Sequence, residues 1–261
     1  MNKYLMLTLL AVGLTACSSA PKPEIPSLRM AVQLSHEKAL KAIRAGYAAD
    51  AALLWQDALL RYQALDDWGG QGMARLGLAQ SQYKLGEFEA AKQTLRVMPE
   101  QNLFATEHRS QASLQLAQLY LTEPQLARQH LALSEQLCAQ PCRLQWSQSN
   151  LAAQIAVAEK DWEQVLRVSA AVLNGAPAEE KAERAHAYRL QAQALLMQQQ
   201  AEAALPNIDS ALVLDRELAR PDWLLDDYRL RLAIAQNLGD AALLADCEQK
   251  IASLCAALAC K

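Results

Sequence analysis

Glycine and proline are scarce in this chain, nine of each in 261 residues, and phenylalanine occurs only twice. A β-rich fold needs turn residues at each strand end, so this scarcity argues against sheets. Alanine, leucine and glutamine dominate instead, and all three suit helices. The chain reads as helical nearly throughout. Long apolar runs are also lacking: the best, Leu5 to Leu14, falls well short of the roughly twenty residues that span a bilayer as a helix. Charge is not concentrated in one sign. The formal net charge is −3, with Lys and Arg scattered and no dense basic stripe, which makes nucleic acid a poor partner. His36, His108, His130 and His186 have no histidine at i+4 that would build a metal-binding face. No Gly-x-Ser-x-Gly elbow or comparable nucleophile signature is present, and nothing points to a cofactor. What remains, 52% hydrophobic and 20% charged, is the balance of an ordinary folded protein that is not an enzyme by any local motif.

The first residues carry an address. Lys3 precedes the apolar run, and the small residues Thr15 and Ala16 end it, which is the pattern of a secretory signal. Leu14-Thr15-Ala16-Cys17 resembles the bacterial lipobox, in which the cysteine thiol is acylated and the preceding peptide removed. Ser18 stands where an inner-membrane-retained lipoprotein usually carries Asp, so the resemblance implies the periplasmic face of the outer membrane. Residues 1–16 are then the signal peptide, and cleavage would leave 261 − 16 = 245 residues with a charge of −3 − 1 = −4, since Lys3 is lost. Residues 17–27 form a tether whose Pro21, Pro23 and Pro26 favour an extended chain of about 3 Å per residue, on the order of 30 Å long. The remainder, 28–261, is one helical domain.

That domain repeats. In LGLAQSQYKLGEFEAAKQTL, residues 76 to 95, Ala79 and Ala91 are small residues twelve apart across a turn at Gly86, with Leu95 four further on. The same spacing recurs at Ala39, Ala51, Trp55 and Ala58; at Ala153, Val165, Ser169 and Val172; and at Ala192, Ala204, Ile208 and Ala211. Near Ala117 the second helix starts early, with Ala127 and Leu131 as equivalents. The last copy is degraded, and Leu232 with Leu244 or Ala233 with Ala245 are both admissible. Taking Ala39, Ala79, Ala117, Ala153, Ala192 and Leu232 as markers gives intervals of 40, 38, 36, 39 and 40 residues. The pattern resembles the tetratricopeptide repeat. It implies an all-α, right-handed alpha solenoid of about six helix pairs. The surplus over the family's shortest repeat is expected in the connections at 66–72 and 219–227. GGQGMARLG, Gly69 to Gly77, lacks the preceding strand and the Lys-Ser/Thr pair of a phosphate loop, and is read as a flexible joint between helices.

In this family the first helix of each pair lines a concave groove. Carried over position by position, the groove consists of Leu76, Gln80 and Tyr83; Leu114, Gln118 and Leu121; Asn150, Gln154 and Val157; and Arg189, Gln193 and Leu196. An amide ladder with apolar neighbours suits the backbone of an extended peptide. The Lys/Arg clamp with which some family members hold a terminal carboxylate is not matched in these positions. Six cysteines complete the picture. In an oxidising compartment Cys138 and Cys142 are expected to pair as a structural staple, since three intervening residues are not the two of a redox-active motif. Cys247 and Cys255 lie eight apart on one helix, about 12 Å, too far to bond. Cys255 reaches Cys260 if the helix ends between them, which leaves Cys247 as the odd thiol.

The reading that follows is a non-enzymatic, lipid-anchored scaffold for an envelope complex of the pilus or secretin kind; the alternative is a regulator of peptidoglycan synthases or hydrolases. The anchor is tested directly. Cys17→Ser should move the protein from the membrane pellet to the soluble periplasmic fraction, and undiminished pelleting of the variant would sink the lipobox reading.

Overall fold

The computed structural model describes residues 27–258 and residue 260. The signal peptide, Cys17 and almost all of the tether lie outside the described residues; Ser27, assigned to the tether by sequence, opens the first helix. Twelve helices follow in order among the described residues: α1 Ser27–Arg44, α2 Ala48–Ala64, α3 Trp68–Lys84, α4 Phe88–Leu95, α5 Thr106–Leu119, α6 Pro124–Leu137, α7 Gln145–Ala158, α8 Trp162–Gly175, α9 Lys181–Met197, α10 Ala201–Glu217, α11 Pro221–Leu238 and α12 Ala241–Leu258. They form six antiparallel pairs stacked into a tetratricopeptide-like solenoid. None of the described helices is long and apolar enough to cross a membrane.

Each pair closes on small residues. Ala39, Ala79, Ala117, Ala153 and Ala192 are at most 1% exposed, and their partners Ala51, Ala91, Ala127, Val165 and Ala204 are fully buried. A methyl group at these positions lets two backbones approach closely, and the larger Trp55, Leu95, Leu131 and Ile208 fill the space one turn on. Five of the six turns inside the pairs share one chemistry, the exception being the α5–α6 turn. Gly46, Gly86, Lys160, Gln199 and Gly239 adopt positive φ, and the next residue's amide donates five residues back, as from Tyr47 to Ala42, Glu87 to Gln82 and Asp161 to Ala156. That is the Schellman closure, in which a left-handed residue satisfies carbonyls orphaned at the helix end. Asp67 and Asp161 cap α3 and α8 by accepting from the amides of Gly70 at 2.9 Å and Gln164 at 3.0 Å.

Three expectations need correction. The glycines of GGQGMARLG are not a joint: Gly69, Gly70, Gly72 and Gly77 all lie inside α3. Gly70, Gly72 and Gly77 are there because neighbouring side chains rest on the backbone. A methyl at Gly70 would overlap Tyr62, one at Gly72 His108, and one at Gly77 the Trp55 indole. Nor does surplus repeat length sit in the two connections expected to hold it, since 66–72 and 219–227 are mostly helix, with α3 starting at Trp68 and α11 at Pro221. Proline at the first helical position has its φ pre-set and no amide to orphan. In the last pair, Gly239 follows Leu232 at the offset by which Gly46 follows Ala39, so Leu232 keeps the turn register. Yet α12 buries Cys247, not Leu244 or Ala245, and packs it with Leu232, Leu243 and Ile251. Relative to the other second helices, α12 is rolled so that Cys247 takes the buried place.

The glycine correction makes a test with a clear sign. Helix propensity alone says that Gly77→Ala stabilises by about 1 kcal/mol. Overlap with the 3%-exposed Trp55 predicts instead a loss of about 1–3 kcal/mol in denaturant unfolding. A stabilised variant would contradict the packing described.

Candidate functional site

The two layers of the solenoid differ in how they meet. First helices of successive pairs touch each other, α1 with α3, α3 with α5, α5 with α7, α7 with α9 and α9 with α11, whereas no two second helices do among the described residues. The first helices therefore form the inner, tightly curved layer, and their exposed edge is the concave face. The curvature goes far enough that opposite ends approach. Lys84 Nζ, at the end of α3, lies 3.5 Å from a carboxylate oxygen of Asp222 at the start of α11. Between them a pocket of about 260 Å³ is lined by Gln80 and Tyr83 of α3, Gln115 and Gln118 of α5, and Arg220 and Trp223 of the last repeat.

The residues expected in the groove fall into two groups. Gln80, Tyr83 and Gln118 are exposed and line this pocket together. Asn150, Gln154 and Arg189 are differently placed, because the chain itself supplies their partners. Asn150 is 2% exposed and donates from Nδ2 to the backbone carbonyl of Glu183 at 2.9 Å and to its carboxylate at 2.7 Å. Gln154 meets the ring of His186, and Arg189 donates to both Asp215 and Asp227. These bonds run from α7 to α9 and from α9 to α11, which joins repeats, and from α9 to α10 within the fifth pair. Gln193 is half-buried further along α9. Arg220 and Trp223 were missed by sequence, since their place in the site comes from superhelical curvature and not from any local spacing.

The buried cluster has its own electrostatics. Asp215 and Asp227 are fully buried, with one guanidinium between two carboxyls. Two full negative charges against one positive would leave a buried excess, and burial is the cause that dominates. It pushes Asp215 up to about 7 and Asp227 upward too, against the opposing pull of Arg189. His186 responds in the opposite sense: burial, helped by Arg189, lowers it to about 3. The neutral ring accepts from Arg189 on Nδ1 at 3.2 Å, and its Nε2 meets the side-chain amide of Gln154.

The cysteines complete the map. Cys138 and Cys142 are joined across the α6–α7 connection with Cα atoms 5.4 Å apart, and Cys255 is joined to Cys260 past the end of α12. Cys247 is the free thiol among the described residues, and it is buried. Beside the first disulfide, Ser110 Oγ donates to the Ser134 carbonyl at 2.8 Å and Gln148 Nε2 to Ser134 Oγ at 2.9 Å, which ties α5, α6 and α7 at their buried ends.

No family model matches the chain, and no curated protein does. Solved structures do match. BtubC (BKLC) from P. vanneervenii superposes with a TM-score of 0.56 at 16% identity, over 91% of this chain and 94% of that one. Nearly identical TPR-like repeats from a protein described as a kinesin light chain of Podospora anserina superpose with a TM-score of 0.53 at 16% identity, over 72% of this chain and 96% of theirs. At that identity the likeness is one of fold. It defines the class as a tetratricopeptide-like helical repeat solenoid.

The Asp215 environment gives a pH prediction. A carboxyl held above its unfolded value of 3.8 favours folding fully below 3.8, and that contribution is lost as pH rises through about 7. His186 acts in the opposite direction, losing its contribution as pH falls below 6.5, so the comparison must isolate Asp215. Between pH 5 and 8 the stability of Asp215→Asn should rise relative to the native chain by on the order of 2 kcal/mol in urea unfolding. No relative change across this window would mean that Asp215 is a fully ionised partner of Arg189.

Proposed function

We propose that this chain is a non-catalytic scaffold, anchored by an acylated Cys17 to the periplasmic face of the outer membrane. It holds a segment of an envelope protein in its concave face and assists assembly of pilus or secretin-type machinery. One observation carries the binding part: the stretch of concave face formed by Gln80, Tyr83 and Gln118 is open and opposed by Arg220 and Trp223, while Asn150 and Gln154 are engaged within the chain. A peptide entering there meets unspent donors and acceptors and two aromatic rings. The address rests on the LTAC tetrapeptide and the proline-rich residues behind it. Two disulfides among the described residues support an oxidising compartment. The tether would leave the solenoid free to meet partners away from the bilayer surface.

The test is crosslinking in intact envelopes followed by recovery of the anchored protein, beside a Gln80→Ala, Tyr83→Ala, Gln118→Ala variant. Native protein should recover one envelope complex, and the variant should lose it about tenfold or more while keeping its melting temperature. Equal recovery by both would remove the concave face from consideration.

A further inference from the structure

The pocket between α3, α5 and α11 has a chemical bias of its own. Two cations border it, Lys84 and Arg220, and no carboxylate lines its wall. Asp222, outside the lining, is the single acidic partner of Lys84, at 3.5 Å with 60% of its side chain exposed. A pair that long and that wet exchanges easily for another carboxylate. Arg220 has no salt bridge among the described residues. Its guanidinium carbon lies 4.0 Å over the Trp223 ring, and that of Arg189 lies 5.9 Å from the same ring. The indole thus orients Arg220 without neutralising it. With two guanidinium groups already on it, the ring is a poor platform for a neutral ligand such as a sugar.

The facing wall supplies the complement. Gln80, Gln115 and Gln118 make no side-chain hydrogen bond among the described residues, and each offers a donor and an acceptor. Overall charge does not explain an attraction for anions, because the chain is net −3. The bias is local. We infer that this pocket takes a carboxylate-bearing peptide segment, its carboxylate between Lys84 and Arg220 and its backbone along the three amides. The carboxylate comes from an Asp or Glu side chain or from a chain terminus; the recognising chemistry is the same. The clamp is built across the gap between the second and sixth repeats, so it exists only while the solenoid is curved enough to bring Lys84 to Asp222. This inference rests on the concave face being a peptide site, and it adds the ligand's charge and the residues that read it.

A random peptide library panned on the immobilised full chain separates the two ideas. Enrichment of Asp and Glu is expected, with affinity that falls on going from 50 to 500 mM NaCl. Synthetic versions of the selected peptides, with free or amidated C-termini, then show whether a side chain or the terminus supplies the carboxylate. Lys84→Gln with Arg220→Gln, both surface substitutions checked by circular dichroism, should weaken these peptides about tenfold or more, and Lys84→Arg should largely restore them. Selection of neutral or basic peptides, or undiminished binding by the Gln variant, overturns the inference and leaves the concave face standing as a peptide site. Recovery of no peptide at all overturns both.

Discussion

The architecture depends on one contact made repeatedly: a small residue on the first helix of a pair against a small residue on the second. Ala39 against Ala51 and Ala192 against Ala204 leave no room between backbones for anything but a methyl group, and every one of these positions is fully buried. That closeness fixes each pair as a rigid wedge. Because the first helices also touch those of the next pair while the second helices do not, the wedges stack with their narrow sides inward, and curvature follows from packing alone. Larger side chains at the marker positions would splay the pairs and flatten the whole. In the last pair, where Leu232 holds the marker position, α12 rolls to bury Cys247 instead.

Curvature in turn creates the site. Nothing in the local sequence of α3 or α11 makes a pocket, and neither helix forms a pair with the other. Only the accumulated rotation over four intervening repeat interfaces puts Trp223 and Arg220 opposite Tyr83 and Gln118. Small changes at any interface are therefore read out at this gap, where a lever of many repeats ends in a single exposed ion pair. Each interface bond between Asn150 and Glu183, or Gln154 and His186, contributes to the site without touching what binds there.

The helices, the pairing and the markers were legible in the sequence because they depend on spacings of a few residues, which one chain displays directly. Gly70, Gly72 and Gly77 were misread because glycine has two uses: it permits bent backbone, and it also permits another group to lie on straight backbone. Deciding between them requires knowing that Tyr62, His108 and Trp55 stand across from them, and those contacts span pairs of helices. The same limit explains the amides. Gln154 and Gln118 occupy equivalent positions and looked alike, but one meets His186 of the next repeat and the other meets solvent. A position in a repeat says which way a side chain points. It does not say what the neighbouring repeat offers in return.

That distinction gives the buried cluster its meaning. Two aspartates sharing one arginine in the interior are a costly way to join α9, α10 and α11, since well-packed apolar side chains of similar volume are often at least as stabilising. What the ion cluster provides is direction. Arg189 must reach Asp215 on one helix and Asp227 on another at once, which fixes the angle between the fifth pair and the first helix of the sixth. The planar guanidinium permits little tilt while both bonds are kept. The same Arg189 lies against Trp223, the ring over which Arg220 is held. The arrangement that sets the final angle of the solenoid is thus continuous, through one indole, with the edge of the pocket that this angle brings into place.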